Sequence, residues 1–547
     1  MTSGADSGSI TGADIIAGKL HAAGCRHAFG IPGGEVLALM GALDQAGLRF
    51  VLVKHENAGG FMAEGGWHAD GAPGVLLATL GPGAANAVNV VANAWQDRVP
   101  LIFLTGCVSG AEAESYTHQV FDHQQMLRPI VKASFRAELG ALDVMMEKAI
   151  AIALDGQPGP VHIDVPISVA EAQTSEPWSS NPLPGPAILA PAPGPALQQA
   201  LTLFAGAKRP IAIAGVDAVN EGAGPEITAF CRKFSIPLVT SYKGKGLLEE
   251  TDPLALGGAG LSPKADGILL PLINQSDCIL LLGYDPIEMR INWRNPWPET
   301  APVIDIAPVL RTHGMHKSSV ALRSSVVPAL GMLTAARNEE AQSWPDGEPE
   351  RARAALEVAF APEASGWGPA TVFHTLNQVL PPETVATADS GAHRILVSQI
   401  WRSHSPRGML QSSALCTMGC AVPLAMGHRL VDADKAPVVA FVGDAGLEMC
   451  LGELSTLRDL QIPVIICVLV DRCLSLIELK QRASQRPNVG VEFGETDFVA
   501  VAQAYGGTGV WVEDAATLAK AAEEALTRPG FTLLACRISD RAYDGRL

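Results

Sequence analysis

The sequence predicts an α/β protein of three doubly wound parallel-sheet domains, and three observations carry that reading. Short apolar runs alternate with longer amphipathic ones, the rhythm of βαβ units. Two connectors cut the 547 residues into three segments, which matches about 150 residues per domain. Hydrophobic residues make up 48% but aromatics only 5%, with 55 Gly and 39 Pro, a balance suited to Ala/Val/Leu-rich layers joined by many turns.

Taken in order, residues 1–12 are polar, lack the basic-then-apolar order of a signal peptide, and read as a frayed terminus. Gly74–Thr79 reads as a strand, Ala85–Arg98 as a helix and Leu101–Thr105 as a strand. The stretch from Thr174 to Pro193 is crowded with prolines, which excludes a helix or central strand, so it is a linker. In the middle segment Pro210–Gly215, Ile236–Thr240 and Cys278–Gly283 read as strands. A charged connector from Arg337 to Gly368 is broken by Pro345, Pro349 and Pro362 and has room for a short helix around Glu350–Ala359. The rhythm returns as strand Pro437–Val442, helix Glu448–Leu460 and strand Pro463–Val470. The domains are accordingly placed at 1–173, 196–336 and 369–547.

The net charge of −17 is spread along the chain with no basic stripe, so nucleic acid is excluded as a partner. The most apolar stretches, Val99–Val108 and Pro463–Val470, are half the length a bilayer requires, so no membrane span is expected and the protein is placed in the cytoplasm. The ten cysteines stand singly, Cys416 and Cys420 being the nearest pair, without the CxxC spacing of a zinc or redox site. They read as small buried hydrophobes in a reducing compartment. No short-period repeat is present, which removes solenoids and propellers.

In doubly wound sheets ligands sit beyond the carboxyl ends of the strands. There, strand Pro437–Val442 runs into Gly443-Asp444-Ala445-Gly446 before a helical pattern. Such a small-residue turn lets backbone N–H groups and a helix N-terminus approach a phosphate. The next strand ends at Asp471, 27 positions after Asp444. Adjacent parallel strands bring these ends together, so two carboxylates can share one Mg²⁺ with diphosphate oxygens. By itself Gly-Asp is an ordinary strand-ending turn; the strand, turn, helix, strand and second carboxylate in succession favour a site.

That succession resembles the thiamine diphosphate motif, GDG followed further on by NN, with departures. Ala445 stands at the third position, tolerable if its φ is negative, and the paired asparagines fall on Val470 and Asp471. Asp471 keeps an oxygen at the metal position. FGIPGG (Phe29–Gly34), Lys54-His55-Glu56, GPGAANAVNVVANAWQDRVPLIFLTG (Gly81–Gly106), RPIVK (Arg128–Lys132) and PGPVHIDVP (Pro158–Pro166) are similar to the pyrimidine-binding domain of acetolactate synthases and related enzymes. Asp389-Ser390-Gly391-Ala392-His393 and Thr417-Met418-Gly419 match further family blocks. The resemblance covers nearly the whole chain in order. It implies pyrimidine-binding, central and diphosphate-binding domains, with thiamine diphosphate and Mg²⁺ as cofactors.

It further implies that Glu56 is the catalytic glutamate, acting at the pyrimidine N1′ so that the neighbouring exocyclic nitrogen becomes a base. Elsewhere such a Glu is a solvated loop carboxylate. Met418 matches the bulky apolar residue that props the cofactor in a bent form; without the family it would be core. Gln119 matches a glutamine near the substrate, and is assigned a catalytic role with Glu56. His118 lies where the family often has phenylalanine and is either a surface residue or a proton donor. Gly391, His393, Gly443, Asp444, Ala445 and Gly446 are implied cofactor contacts, and Asp444 and Asp471 the metal ligands.

The reaction implied is decarboxylation of a 2-oxo acid with carboligation, as in branched-chain amino acid biosynthesis. The alternatives are a non-ligating 2-oxo acid decarboxylase or other carbon–carbon lyase, and, motivated by Ala445 and Val470, a non-catalytic cofactor-binding homologue. The family's pocket tryptophan falls on Lys480, which can meet an anionic substrate or sit in solvent. In the central segment GVDAVNEGAG (Gly215–Gly224) lacks the GxGxxG order and reads as a structural turn, whereas GYDPIEMR (Gly283–Arg290) resembles FAD-free catabolic acetolactate synthases, so FAD is not favoured. A homodimer or homotetramer with shared sites is implied, and a regulatory small subunit is left open.

Overall fold

The computed structural model describes residues 10–181, 185, 187–287, 289–337, 344–432 and 435–547. Within them the apolar runs assemble into three six-stranded sheets, each parallel throughout and interleaved with helices. The first orders Arg49–Leu52, His27–Ile31, Gly74–Ala78, Leu101–Cys107, Val161–Pro166 and Ala133–Arg136. The second orders Ala255–Gly258, Leu238–Thr240, Pro210–Ala214, Cys278–Leu282, Val303–Ala307 and Val320–Arg323. The third orders Met409–Gln411, Val385–Ala388, Val438–Gly443, Ile465–Val470, Thr532–Arg537 and Thr508–Val512. Numbered within each sheet, the first and third both run 2-1-3-4-6-5, and the middle runs 3-2-1-4-5-6. The central strands are buried along their whole length, as sheets covered by helices on both faces require.

Three local expectations need correction. Of the expected frayed terminus, residues 1–9 lie outside the described residues; Ile10–Thr11 instead pairs antiparallel with Gln173–Thr174, and Thr11 and Asp14 form a capping box on helix Gly12–Ala22. The single helix Ala85–Arg98 is two helices, Pro82–Asn86 and Val88–Asp97. The helix after the Gly-Asp turn begins four residues early, at Asp444, and is also two pieces, Asp444–Glu448 and Glu453–Leu460. Parts of both connectors and Glu288 of GYDPIEMR lie outside the described residues. The short helix in the second connector spans Glu348–Ala359.

The chain divides into two compact units. The first comprises Met1–Pro186 with Met426–Asp434 and Gly452–Asp459; the second holds the rest. Close backbone packing joins the detached pieces to the first unit: a Cβ on Gly427 would stand 1.9 Å from the Met62 carbonyl oxygen. The middle and third sheets share the second unit because polar contacts lock them together. Gln399 Nε2 donates to Tyr242 Oη at 2.8 Å, and the Ser403 N–H donates to Glu250 Oε2 at 2.7 Å.

Candidate cofactor and catalytic site

In the second unit the strand order of the third sheet reverses between the parallel neighbours Val385–Ala388 and Val438–Gly443. Crevices form at such switch points. A cavity of about 130 Å³ opens there, and its walls include Gly391, His393, Met418, Gly443, Asp444, Ala445, Gly446 and Asp471. All eight C-terminal residues singled out from sequence therefore face one space. Ala445 is helical, so its φ is negative and its methyl is accommodated. Gly446 has a steric reason to lack a side chain, since a Cβ there would lie 2.0 Å from Asp389 Oδ2.

The two acidic residues are brought together by register: Gly443 pairs with Leu469 across adjacent parallel strands, which end at Asp444 and Asp471. Asp444 Oδ1 accepts from the Ala445 N–H at 2.9 Å, and Oδ2 accepts from the Asp471 and Arg472 N–H groups at 3.1 and 2.7 Å. Arg472 adopts φ +57°, a conformation unusual for a residue other than glycine, and two successive amides reach one oxygen there. Asp471 Oδ1 accepts from the Cys473 N–H at 3.1 Å and Oδ2 from the Ser475 hydroxyl at 2.5 Å. Both carboxylates are buried. Burial raises the proton affinity of Asp444, and burial followed by the charge of Asp444 pushes Asp471 up to about 7.

His393, at the start of helix Ala392–Ile400, is buried with Nε2 unpartnered. Burial and then the Arg394 charge push it down to about 3, so the ring is neutral. Its imidazole lies over Gly391 and Gly443, where a Cβ would come within 2.7 and 3.4 Å of the ring. Tyr543, from the C-terminal segment, and Leu474, Ser475 and Ile477 complete the wall. Leu474, Ser475 and Ile477 belong to LSLIELKQR (Leu474–Arg482), the stretch that resembles the family's pocket-covering segment, whereas no motif pointed to Tyr543. Lys480, on the same helix (Ser475–Ala483), is exposed and is not part of the cavity wall.

In the first unit Glu56 opens helix Glu56–Asp70 and is 4% exposed. The Asn86 amide donates to its Oε2 at 3.0 Å. Its Oε1 faces Gly83, where a Cβ would stand 3.2 Å away, so glycine keeps that oxygen open. The approach to the helix is held by Glu453, a buried residue of the same unit, whose Oε1 accepts from the N–H groups of Lys54 and His55 at 2.8 and 3.1 Å. Sequence reasoning assigned Asn86 and Glu453 no role; Asn86 did lie inside a quoted block. Gln119 is exposed at φ +60°, and its carbonyl packs against Gly81. His118 is a surface residue whose ring meets Tyr116 edge-on at 6.3 Å. Glu56 and Gln119 thus belong to one unit and the other eight residues to the second.

Comparison with known proteins places this geometry in context. Residues 10–126 match the model for the N-terminal TPP-binding domain of thiamine pyrophosphate enzymes, 197–333 the central domain, and 389–536 the C-terminal TPP-binding domain. The chain is 30% identical to a probable acetolactate synthase large subunit of Methanocaldococcus jannaschii, over 91% of this chain and 86% of that one. It is 29% identical to the acetolactate synthase isozyme 1 large subunit of Escherichia coli K12, over 97% and 94%. An acetolactate synthase of Bacillus subtilis is 27% identical, over 95% and 91%.

Proposed function

The chain belongs to the thiamine pyrophosphate enzyme family and is an acetolactate synthase-like enzyme, and from that premise we propose that it decarboxylates a 2-oxo acid and joins the remaining fragment to a second carbonyl compound. The observation that carries this reading is the buried pair Asp444 and Asp471 beside the unpartnered His393 Nε2, on one cavity. Two carboxylates this close, one of them holding its proton to about 7, form a donor set that a hard divalent cation such as Mg²⁺ relieves. Asp444 and Asp471 would hold that ion. The turn Gly443–Gly446 on the cavity wall would face a diphosphate, with Met418 as an apolar support. The residues present therefore fit the group the family implies.

Thiamine diphosphate, when bound, supplies a carbon centre that attacks the 2-oxo carbon and stores the electron pair released with CO₂. The protein's own part is to position and to manage a proton. Glu56 is anchored through Oε2 by Asn86, and its Oε1 would be the oxygen available to hold or release a proton at the cofactor's pyrimidine ring. Low exposure keeps water from competing at that carboxyl. Gln119 is assigned to the substrate side. Lys480 supports a second reading, a decarboxylase or carboligase for an acidic 2-oxo acid, because an exposed ammonium takes the position of the family's tryptophan.

The domain divisions are assigned at 173/196 and 336/369. We assign the central domain no flavin. GVDAVNEGAG (Gly215–Gly224), expected as a structural turn, is instead half helix, Val216–Asn220 following directly on Gly215. At the switch point beyond Pro210–Ala214 and Cys278–Leu282, Arg311 pairs with Asp217 at 2.9 Å and lies 4.0 Å from Asp305. We assign a homodimer or homotetramer with shared sites, the arrangement that the family resemblance implies. Among the described residues no helix is long and apolar enough to cross a membrane. The test is a panel of 2-oxo acids with and without thiamine diphosphate and Mg²⁺, following CO₂ and carbon products together. Cofactor-dependent CO₂ release with a joined product supports carboligation, release with aldehyde alone supports the decarboxylase, and no release with any acid overturns both.

A further inference from the structure

Beneath the turn that carries Gly83 to Glu56 lies a buried polar chain to which the chemistry above assigns no role. His123, His162 and Asp164 are 4%, 0% and 5% exposed. Their ligand-type atoms lie within 4.8 Å of one another, the spacing of a metal cluster. The hydrogen bonds argue otherwise, because all four ring nitrogens are engaged. The Gly81 N–H donates to His123 Nε2 at 3.1 Å, and His123 Nδ1 lies 2.9 Å from Asp164 Oδ1. Thr105 Oγ1 lies 2.7 Å from that same Asp164 oxygen and 2.8 Å from His162 Nε2, and Ser134 Oγ lies 2.7 Å from His162 Nδ1.

A single proton assignment satisfies every link. A backbone N–H can only donate, so His123 Nε2 must be the acceptor, the ring must be neutral, and its proton must sit on Nδ1 and point to Asp164. Thr105 donates to Asp164 and receives from His162 Nε2–H, and Ser134 donates to His162 Nδ1. Burial alone would raise the proton affinity of Asp164, but the polar partners around it, His123 first among them, lower it on balance, so Asp164 is held as a carboxylate. The chain ends on the Gly81 amide. Gly81 adopts φ +69°, ψ −106°, a conformation open to glycine, and caps helix Pro82–Asn86. That short element carries Asn86, which donates to Glu56 Oε2, and Gly83, where a Cβ would stand 3.2 Å from Oε1. A Cβ on Gly81 would also lie 2.5 Å from the Gln119 carbonyl oxygen.

We propose that His123 is a positioning residue: as the Nδ1–H tautomer oriented by Asp164, it holds the Gly81 amide and so fixes the Gly81–Asn86 turn against Glu56 and Gln119. The claim rests on the proposed function for its catalytic consequence, but not for the anchor itself. Two substitutions separate the acceptor from the shape. His123→Phe removes the acceptor and keeps a ring beside Phe121; His123→Gln offers an amide oxygen to the Gly81 N–H.

Hydrogen exchange of the Gly81 amide in the full chain without cofactor reads the anchor, and kcat and KM with thiamine diphosphate and Mg²⁺ read its effect. The expected result is loss of Gly81 protection in His123→Phe and its retention in His123→Gln. Turnover should fall about 5- to 100-fold in the Phe variant, the range set by one unsatisfied buried donor, mainly in kcat, and recover in the Gln variant. Unchanged protection in His123→Phe overturns the proposal. So does equal loss of protection and turnover in both variants, which would mean that ring packing is what matters. If wild type shows no cofactor-dependent turnover while the exchange pattern holds, the functional reading fails and the anchor stands.

Discussion

Asp471→Asn gives the sharpest test of the metal site, because the structure predicts opposite effects with and without the ion. Burial and the charge of Asp444 push Asp471 from 3.8 up to about 7. At about 1.4 kcal/mol per tenfold, that is about 4 kcal/mol held against its ionised form in the metal-free protein. Its folded-state value lies above the unfolded one, so between pH 4 and 7 the native state binds the extra proton. Stability is therefore lost as pH rises through that window. Asparagine removes the titration while its carbonyl oxygen can still accept from the Cys473 N–H. In EDTA the variant should match wild type at pH 4 and gain on it as pH rises, by about 3 kcal/mol between pH 5 and 8.

With Mg²⁺ and thiamine diphosphate the order reverses. Wild type should release a proton on binding below about pH 7, its apparent metal affinity falling up to tenfold per pH unit; the variant should bind with little pH dependence and somewhat more weakly at pH 8. Thermal unfolding in EDTA across pH and isothermal titration with Mg²⁺ in two buffers measure both halves. Parallel stability profiles of wild type and Asp471→Asn, or complete loss of metal binding in the variant, would refute the assignment of Asp471.

Glu56→Gln should lose more than about 10²-fold in kcat while thiamine diphosphate still binds by circular dichroism titration; near-normal turnover removes Glu56 from the mechanism. Asp444→Ala should prevent holoenzyme assembly, since it deletes a metal ligand and leaves three backbone N–H groups at the strand end without their acceptor; cofactor retention on gel filtration checks this. If sites are shared between subunits, reassembling equal amounts of Glu56→Gln and Asp444→Ala chains should restore up to about a quarter of wild-type activity. Verified mixed dimers without activity would mean that each chain builds its own site.

The cavity residues of the third sheet were legible because they form local runs at strand ends: Asp389 to His393, Gly443 to Gly446 and Asp471 each follow an apolar strand. The helix breaks at Ala87 and at residues 449–452 were not, since apolar residues recur at helical spacing on both sides of each one- or four-residue interruption. The supports of Glu56 were illegible for a different reason. Asn86 lies 30 positions away, Glu453 reaches Lys54 across 399, and Asp164 reaches His123 across 41. No local pattern encodes such pairs.

By itself, then, the sequence determined the α/β class, the strands, and the residue types that line the cavity at the ends of the third sheet's strands, since hydrophobic period and turn chemistry are properties of neighbouring residues. Only the tertiary structure decided the proton states. Asp471 holds its proton to about 7, His393 is neutral, and His123 carries its proton on Nδ1. Those states follow from loss of water and from the few partners that folding places around each group, and both are set by segments far apart along the chain.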